Sequence, residues 1–289
     1  MPDSGFRKKC EAAFSAVCQA RKRFDVKVLN YTMEINILMK YYAQVPFTFH
    51  PKTPLIALII LLSIDLVFLA LHLFGAHPIV QAHFGQAMDC INLNVEGNLP
   101  TNWAIIQLYF GAACCFLMIF TYPQHVRAPF FWKIGTFALF LLGLDESAQL
   151  HELWSAGIFP LLFGGDGETN RPTAMVYAVI LGVFYLSALR MFLFLSSRAL
   201  FCFVLSGVSL VLSQADEIEL PVIKDLLFAS AAWLQGWFPE IHLSDYELVV
   251  EEGFEMGCYS LLVVGVLTGI CVIQRQWRHD ATTTEATFI

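Results

Sequence analysis

Charge is what this 289-residue chain has least of: only 14% of its residues are Asp, Glu, Lys or Arg. Ordinary soluble domains carry about 25% charged residues. Hydrophobic residues make up 57%, and the mean hydropathy is +0.62. Such a chain has too little polar surface for a soluble globule. The composition therefore predicts an integral membrane protein of an inner or plasma membrane, with the lipid bilayer as its main partner.

Several enzyme motifs are absent as well. The eight cysteines include no C-x-x-C pair, which argues against a thiolate zinc site and a disulfide framework. His151-Glu152 is not followed by a second histidine, so H-E-x-x-H is excluded, and neither a P-loop nor G-x-S-x-G occurs. The basic N-terminal region contains no apolar run ending in a cleavage site, so we expect no signal peptide. A net charge of −7 gives no indication of nucleic-acid binding.

Long apolar segments dominate the rest of the chain. Six of them approach or exceed the roughly 20 residues that cross a bilayer. They cover residues 55–74, 103–120, 130–153, 173–195, 198–220 and 246–274. We therefore predict an all-α fold, a polytopic transmembrane helix bundle of about six spanning helices within residues 54–275. Residues 224–239 are apolar but short, which predicts an interfacial or re-entrant helix, with a seventh span as the alternative.

The two ends of the chain differ from this apolar region. Residues 1–53 are basic, and apolar residues recur at helical spacing between positions 6 and 24. This pattern predicts an amphipathic helix on the membrane surface, followed by a second short helix at 31–42. Packing of these helices on the protein's own cytoplasmic loops is the alternative. Residues 276–289 are predicted to form a C-terminal tail.

The distribution of basic residues predicts the orientation in the membrane. With six spans, 15 of the 17 Lys and Arg residues fall on the side of the two termini, and only Arg171 and Lys224 fall on the other. Because basic residues accumulate in cytoplasmic loops, this asymmetry predicts that both termini are cytoplasmic.

Acidic residues occur at the predicted outer ends of the spans, where charge is costly and commonly functional. Spans three and five leave the membrane on the side where span six enters it, so their acids face the same side. At about 1.5 Å of helix rise per residue, most of them lie in one layer about 20 to 30 Å from the inner ends. Asp65 and His72 of the first span are seven residues apart on one helical face and fall in the same layer.

So many carboxylates cannot all be ionised side by side unless protons, metal ions or water compensate them. A set rich in carboxylate and imidazole suits a divalent ion such as Mn²⁺, Fe²⁺, Zn²⁺, Mg²⁺ or Ca²⁺. Glu146 and Glu251 are predicted to be catalytic bases. The predicted metal ligands are Asp65, His72, Asp145, His151, Glu152, Asp216, Glu217, Glu252 and Glu255.

The sequence thus favours a metal-dependent membrane enzyme, a hydrolase or oxidoreductase, whose site lies in the outer half of the bilayer. Its substrate would be amphipathic or small. A cation or proton transporter that uses the same carboxylates is one alternative. An accessory subunit of a membrane complex, in which the acids are structural, is another.

Overall fold

The computed structural model describes residues 49–93, 98–121, 129–148, 150, 171–213, 221–237 and 239–287. All of them belong to the compact unit formed by residues 48–289. These parts of the chain are helical and contain no strand, which confirms the predicted all-α class for them. The two predicted N-terminal amphipathic helices lie outside the described residues.

Eight α-helices and one short 3₁₀ turn make up the described part. In chain order the helices are α1 (Thr53–Ala76), α2 (Pro78–Met88), α3 (Leu99–Thr121), α4 (Pro129–Ala148), α5 (Arg171–Phe192), α6 (Ser197–Ser213), α7 (Pro221–Gln235) and α8 (Leu243–Thr287). The 3₁₀ turn Asp89–Ile91 follows α2.

Proline marks six of the helix starts. Pro78, Pro129 and Pro221 are the first residues of α2, α4 and α7, and Pro54, Pro100 and Pro172 are the second residues of α1, α3 and α5. Proline suits the first turn because its missing N–H has no intrahelical partner there. Three helices are long and apolar enough to cross a membrane: Thr53–Ala76, Leu99–Phe120 and Leu243–Gln276. Shorter apolar helices cover Val176–Phe192 and Ser197–Ser213.

Two segments differ from the sequence-based expectation. Residues 78–88 lie between the first two predicted spans, where no helix was predicted, but they form α2, an 11-residue helix that begins with proline and contains the good helix formers Ala, Gln and Met. The segment expected at 224–239 is a 15-residue helix that begins earlier, at Pro221. The outer ends of the third and fifth predicted spans, residues 151–153 and 214–220, lie outside the described residues.

Paired contacts fix the direction of the long helices. Asp65 of α1 contacts Ser260 of α8, and Leu69 packs on Gly253, so α1 and α8 are antiparallel. Two contacts likewise define each of four further helix pairs. For α3 and α4 they are Gly111 with Leu139 and Tyr109 with Gly143, and for α4 and α5 they are Asp145 with Tyr177 and Gly135 with Phe184. For α5 and α6 they are Tyr185 with Gly207 and Phe192 with Phe203, and for α6 and α8 they are Ser206 with Cys258 and Phe203 with Gly265. Each of these pairs of helices is antiparallel. The helices α1, α3, α4, α5, α6 and α8 therefore alternate in direction.

Two helices, α1 and α6, have apolar side chains on their exposed faces and polar side chains on their buried faces. Helix α1 exposes nine large apolar side chains and buries Asp65 and His72 together with Pro54 and Gly75. Helix α6 likewise exposes valines and a phenylalanine and buries three serines. Such an arrangement is unfavourable in water but suits hydrocarbon, where apolar side chains face lipid and polar groups pair inside. The surface of these helices therefore fits a bilayer.

Helix α8 lies at the centre of the bundle. It packs against α1, α3, α6 and α7, while α3, α4, α5 and α6 follow one another around it. Its apolar face from Tyr259 to Ile270 is buried almost without interruption. The side chains of α8 therefore face several helices at once, and polar groups on α8 meet partners from different helices.

Candidate functional site

Two glutamates from different helices meet at one tyrosine. Glu146 lies in the last turn of α4, and Glu255 lies four residues before Tyr259 on α8. The Tyr259 hydroxyl is 2.9 Å from Glu146 Oε1 and 2.6 Å from Glu255 Oε1. Tyr259 is fully buried, whereas both glutamates are half-buried. The side chains of α4 and α8 thus bring together two carboxyl groups that are 109 positions apart in the chain.

The one hydroxyl hydrogen of Tyr259 cannot form hydrogen bonds to two ionised carboxylates at once. A phenol hydroxyl has one hydrogen and can donate it to only one of the two acids. The other carboxylate oxygen then faces the phenol oxygen without a hydrogen between them, which is unfavourable. A further proton or a bound cation removes this repulsion. This requirement for an additional positive charge is the main chemical feature of the Glu146–Tyr259–Glu255 group.

A third acid borders this group. Asp145, adjacent to Glu146, is 8% exposed and accepts a hydrogen bond from the hydroxyl of Tyr177 on α5. Helices α4, α5 and α8 thus each contribute polar groups to one region at the end of the bundle. We call the set Asp145, Glu146, Glu255, Tyr177 and Tyr259 the acid cluster.

A second polar group lies on another side of α8. Asp65 is 4% exposed and accepts hydrogen bonds from three side chains. The donors are Trp103 Nε1 at 2.8 Å, Gln107 Nε2 at 3.1 Å and Ser260 Oγ at 2.6 Å. Ser260 Oγ is also 3.1 Å from Gln107 Oε1. These contacts join α1, α3 and α8, and we call them the Asp65 network.

The two groups are neighbours along α8 but face different helices. Tyr259 and Ser260 are consecutive, and successive helical residues project about 100° apart. Tyr259 meets α4, whereas Ser260 meets α1 and α3. Asp65 is therefore in the predicted layer, yet its two carboxylate oxygens are directed at hydrogen-bond donors rather than at the acid cluster.

His72 occupies a third position. It is 5% exposed, and its Nδ1 accepts a hydrogen bond of 3.1 Å from the backbone N–H of Leu93. The proton must therefore be on Nε2, which has no hydrogen-bond partner among the described residues. His72 thus ties the segment after α2 to α1, at the end of α1 that lies beyond Asp65.

The remaining predicted residues divide into two sets. Glu251 and Glu252 lie on α8, one turn before Glu255, and are half-buried. The other four predicted ligands, His151, Glu152, Asp216 and Glu217, lie outside the described residues. Within the described ranges, no group of three or more His, Cys, Asp or Glu side chains is arranged to hold a metal ion. The described structure thus brings Asp145, Glu146 and Glu255 into one region and places Asp65 and His72 elsewhere.

Several polar residues of these groups were not predicted from the sequence. Tyr259 follows Glu255 by four residues, and Gln107 follows Trp103 by four, so both pairs share a helical face. Trp103 begins the second predicted span, and its indole N–H is directed at Asp65. An i, i+4 search for hydrogen-bond donors beside each intramembrane acid would have identified Tyr259.

Beyond the acid cluster, toward the start of α4, the packing becomes aromatic. The ring of Phe131 on α4 stacks on Phe184 at 5.7 Å, and Phe192 stacks on Phe203 at 5.3 Å. Phe131 also meets Phe192 and Phe203 edge-to-face. These rings belong to three helices around α8 and are almost completely buried. Among the described residues they close the bundle on this side of the acid cluster.

A small group of hydroxyl and thiol side chains lies between the acid cluster and the aromatic packing. The Tyr185 hydroxyl on α5 lies 2.6 Å from Ser206 Oγ on α6, and both approach Cys258 Sγ, at 3.8 and 3.6 Å. These groups satisfy one another inside the core. They therefore account for their own burial without requiring a ligand.

Comparison with known proteins yields no relative: no family model, no curated protein and no solved structure matches the chain.

Proposed function

We propose that the chain crosses the membrane six times, through α1, α3, α4, α5, α6 and α8, with both termini in the cytoplasm. Three observations support this topology. The six helices alternate in direction, α1 and α6 expose apolar side chains while burying polar ones, and 15 of 17 basic residues fall on one side. In this arrangement the acid cluster lies at the extracytoplasmic end of the bundle.

The distribution of lysines allows a direct test of this topology. Lys224 is the one lysine that the six-span topology places outside, and the other seven fall inside. A membrane-impermeant amine reagent applied to sealed right-side-out vesicles should modify Lys224 alone, as measured by peptide mass spectrometry. Permeabilised vesicles are the control and should show modification of the cytoplasmic lysines as well. Modification of Lys52 or Lys133 in sealed vesicles would contradict the topology.

The acid cluster supports a metal-dependent membrane enzyme as the best function. The observation that carries this proposal is the contact of Glu146 and Glu255 with one hydroxyl, which requires an additional proton or cation. A divalent cation supplies that charge, and carboxylate oxygens are suitable ligands for it. Further predicted ligands complete the set in this proposal: Asp145, His151, Glu152, Asp216, Glu217 and Glu252.

The roles of the individual residues follow from their positions. A bound divalent ion would lower the pKa of a coordinated water and so generate a nucleophile or an oxygen species near neutral pH. Glu146 would act as the general base, with Glu251 as a second candidate one turn beyond Glu255. Tyr259 would hold Glu146 and Glu255 in position through its hydroxyl. Asp65 would fasten α1 to the bundle, and His72 would fix the segment after α2.

The position of the cluster also limits the substrate. The acids lie at the end of the bundle, while aromatic rings close the described core beyond them. A substrate would therefore reach the cluster from the outer leaflet or the outer aqueous phase, which favours an amphipathic or small molecule. Hydrolysis and oxidation are both compatible with this site.

Metal content tests this proposal. We expect the purified wild-type protein to contain divalent metal in a stoichiometric amount by elemental analysis, and the Glu255→Gln variant to lose most of it. Glu247→Gln is the matched control, because Glu247 lies two turns earlier on the same helix and is exposed. Wild-type protein without stoichiometric metal, or variants with equal metal contents, would contradict a metal site at Glu255.

A cation or proton transporter would use the same acids but needs a polar path across the membrane. Beyond Ser260, the buried residues of α8 are apolar as far as Cys271, and Thr268 bonds to the carbonyl of Val264 in its own helix. The described core therefore favours a one-sided site. Ion-dependent flux in proteoliposomes that is abolished by Glu255→Gln would reverse this ranking.

A further inference from the structure

A groove runs along the surface between α5 and α6. Its volume is about 580 Å³, and Gly182, Tyr185 and Gly207 lie along it, with Leu200 and Leu212 near its two ends. An added Cβ atom at Gly182 would meet nothing within 4 Å, and one at Gly207 would meet only the ring of Tyr185. The missing side chains of the two glycines thus create space between the helices.

The groove opens onto the part of the surface that fits hydrocarbon. Leu186 beside it is 66% exposed, and Val204 and Val208 are about half exposed. These residues belong to the shorter apolar helices Val176–Phe192 and Ser197–Ser213. A molecule that enters the groove therefore comes from the acyl-chain region of the bilayer.

The lining offers almost no polar contact. All of the lining side chains are apolar except that of Tyr185. The Tyr185 hydroxyl is engaged with Ser206 Oγ at 2.6 Å. The groove therefore has no free hydrogen-bonding group for a polar ligand, and a hydrocarbon chain matches its chemistry.

The length and volume of the groove distinguish an acyl chain from a helix of a second copy as its occupant. From Leu200 to Leu212, α6 rises by about 18 Å, which is close to the roughly 15 Å thickness of one leaflet's hydrocarbon. A volume of this size is typical of a pocket for a small ligand. A helix of a second copy, about 10 to 12 Å in diameter, would need a wider and flatter surface.

We propose that this groove binds one acyl chain of a membrane phospholipid. The driving force is packing, because a chain in bulk lipid is already in hydrocarbon and gains nothing from leaving water. An unfilled groove would lack partner atoms on one side, and an acyl chain supplies them. The bound acyl chain would also fill the space between α5 and α6, so that the apolar surface of the two helices is continuous. This inference rests on the six-span topology proposed above and is independent of any metal at the acid cluster.

Photolabelling in proteoliposomes tests the proposal. The probe is phosphatidylcholine with a diazirine in one acyl chain, and the labelled positions are mapped by peptide mass spectrometry. We expect about fivefold more label per exposed residue at Val204 and Val208 than at Ile59 and Val67 of α1, which are similarly exposed. This factor corresponds to about ten additional carbon–carbon contacts. Excess unlabelled phosphatidylcholine should reduce the groove labelling selectively.

Two tryptophan variants provide the matched comparison. Gly182→Trp places a large side chain in the groove and should reduce groove labelling to the level of α1. Val179→Trp adds the same side chain to the exposed face of α5 outside the groove and should leave the labelling unchanged. Val208→Trp, which fills the groove from α6, should reproduce the effect of Gly182→Trp if one of the variants folds poorly.

Two results would overturn the proposal. Labelling in proportion to exposure, with no difference between the groove and α1, would show that no chain is bound specifically. Crosslinking of two copies through α5 and α6, with little lipid label at Val204 or Val208, would assign the groove to self-association. Loss of groove labelling in both Gly182→Trp and Val179→Trp would also contradict a site defined by Gly182.

Discussion

Substitutions at Asp65 distinguish hydrogen bonding from charge in the Asp65 network. In Asp65→Leu the indole N–H of Trp103 and the amide of Gln107 lose their acceptor, and three hydrogen bonds are lost in total. At roughly 0.6 to 1.5 kcal/mol for each hydrogen bond in such surroundings, the variant should be destabilised by about 2–4 kcal/mol. Asp65→Asn should cost less than about 1 kcal/mol.

The geometry explains this difference. In Asp65→Asn the side-chain oxygen keeps Trp103 and Gln107 as donors, and the new NH₂ group can donate to Ser260 Oγ. Ser260 can then direct its hydrogen to Gln107 Oε1, which is 3.1 Å away. Every polar atom of the network keeps a partner, and only the negative charge is removed.

The assay is reversible unfolding in mixed detergent micelles, followed by circular dichroism. Ser63→Ala is the control, because Ser63 lies on the exposed side of the same helix. Equal destabilisation by Leu and Asn would refute the hydrogen-bond explanation and indicate that the charge itself is needed. Loss of bound metal in Asp65→Asn, without loss of stability, would make Asp65 a ligand.

Two further predictions concern packing and the segment after α2. In Gly269→Ala the new Cβ would lie 2.5 Å from Cζ of the buried Phe192, so we expect a destabilisation of about 1–3 kcal/mol in the same unfolding assay. In His72→Ala the amide of Leu93 loses its acceptor, and its hydrogen exchange, measured by mass spectrometry, should become about fivefold to tenfold faster.

Both predictions have controls in the same chain. Gly257 is also on α8, but an added Cβ there meets nothing within 4 Å, so Gly257→Ala should be neutral within about 1 kcal/mol. His83 is exposed and its ring bonds a carbonyl of its own helix, so His83→Ala should leave the exchange of Leu93 unchanged. Equal effects of the two glycine variants would contradict the packing at Phe192, and unchanged exchange in His72→Ala would contradict the bond to Leu93.

The sequence predicted the helices well because apolar length and proline position are local signals. Pro54 and Pro129 directly precede the first and third predicted spans, 55–74 and 130–153, and they lie in the first turns of α1 and α4. Helix α2 was not predicted, since its residues are only moderately apolar and show no length signal. The number of spans depends on a bilayer, and for that reason it is part of the proposal.

The contacts between side chains were harder to predict than the positions of the helices. The sequence placed Asp65 and Glu255 in one layer, but a layer does not specify which side of α8 each acid meets. Rotation about the helix axis separates them, because Ser260 faces Asp65 while Tyr259 faces Glu255. The apolar pattern around Tyr259 and Ser260 does not indicate which neighbouring helix each of these side chains faces.

The most direct test of the metal site at the acid cluster is a titration of the metal-free protein with Mn²⁺, followed by the electron paramagnetic resonance signal of the free ion. We predict saturable binding in stoichiometric proportion to the wild-type chain. Binding should be strongly weakened in Glu255→Gln, and it should be retained in Glu247→Gln. Identical titration curves for the wild type and the Glu255→Gln variant would contradict a metal site at the acid cluster.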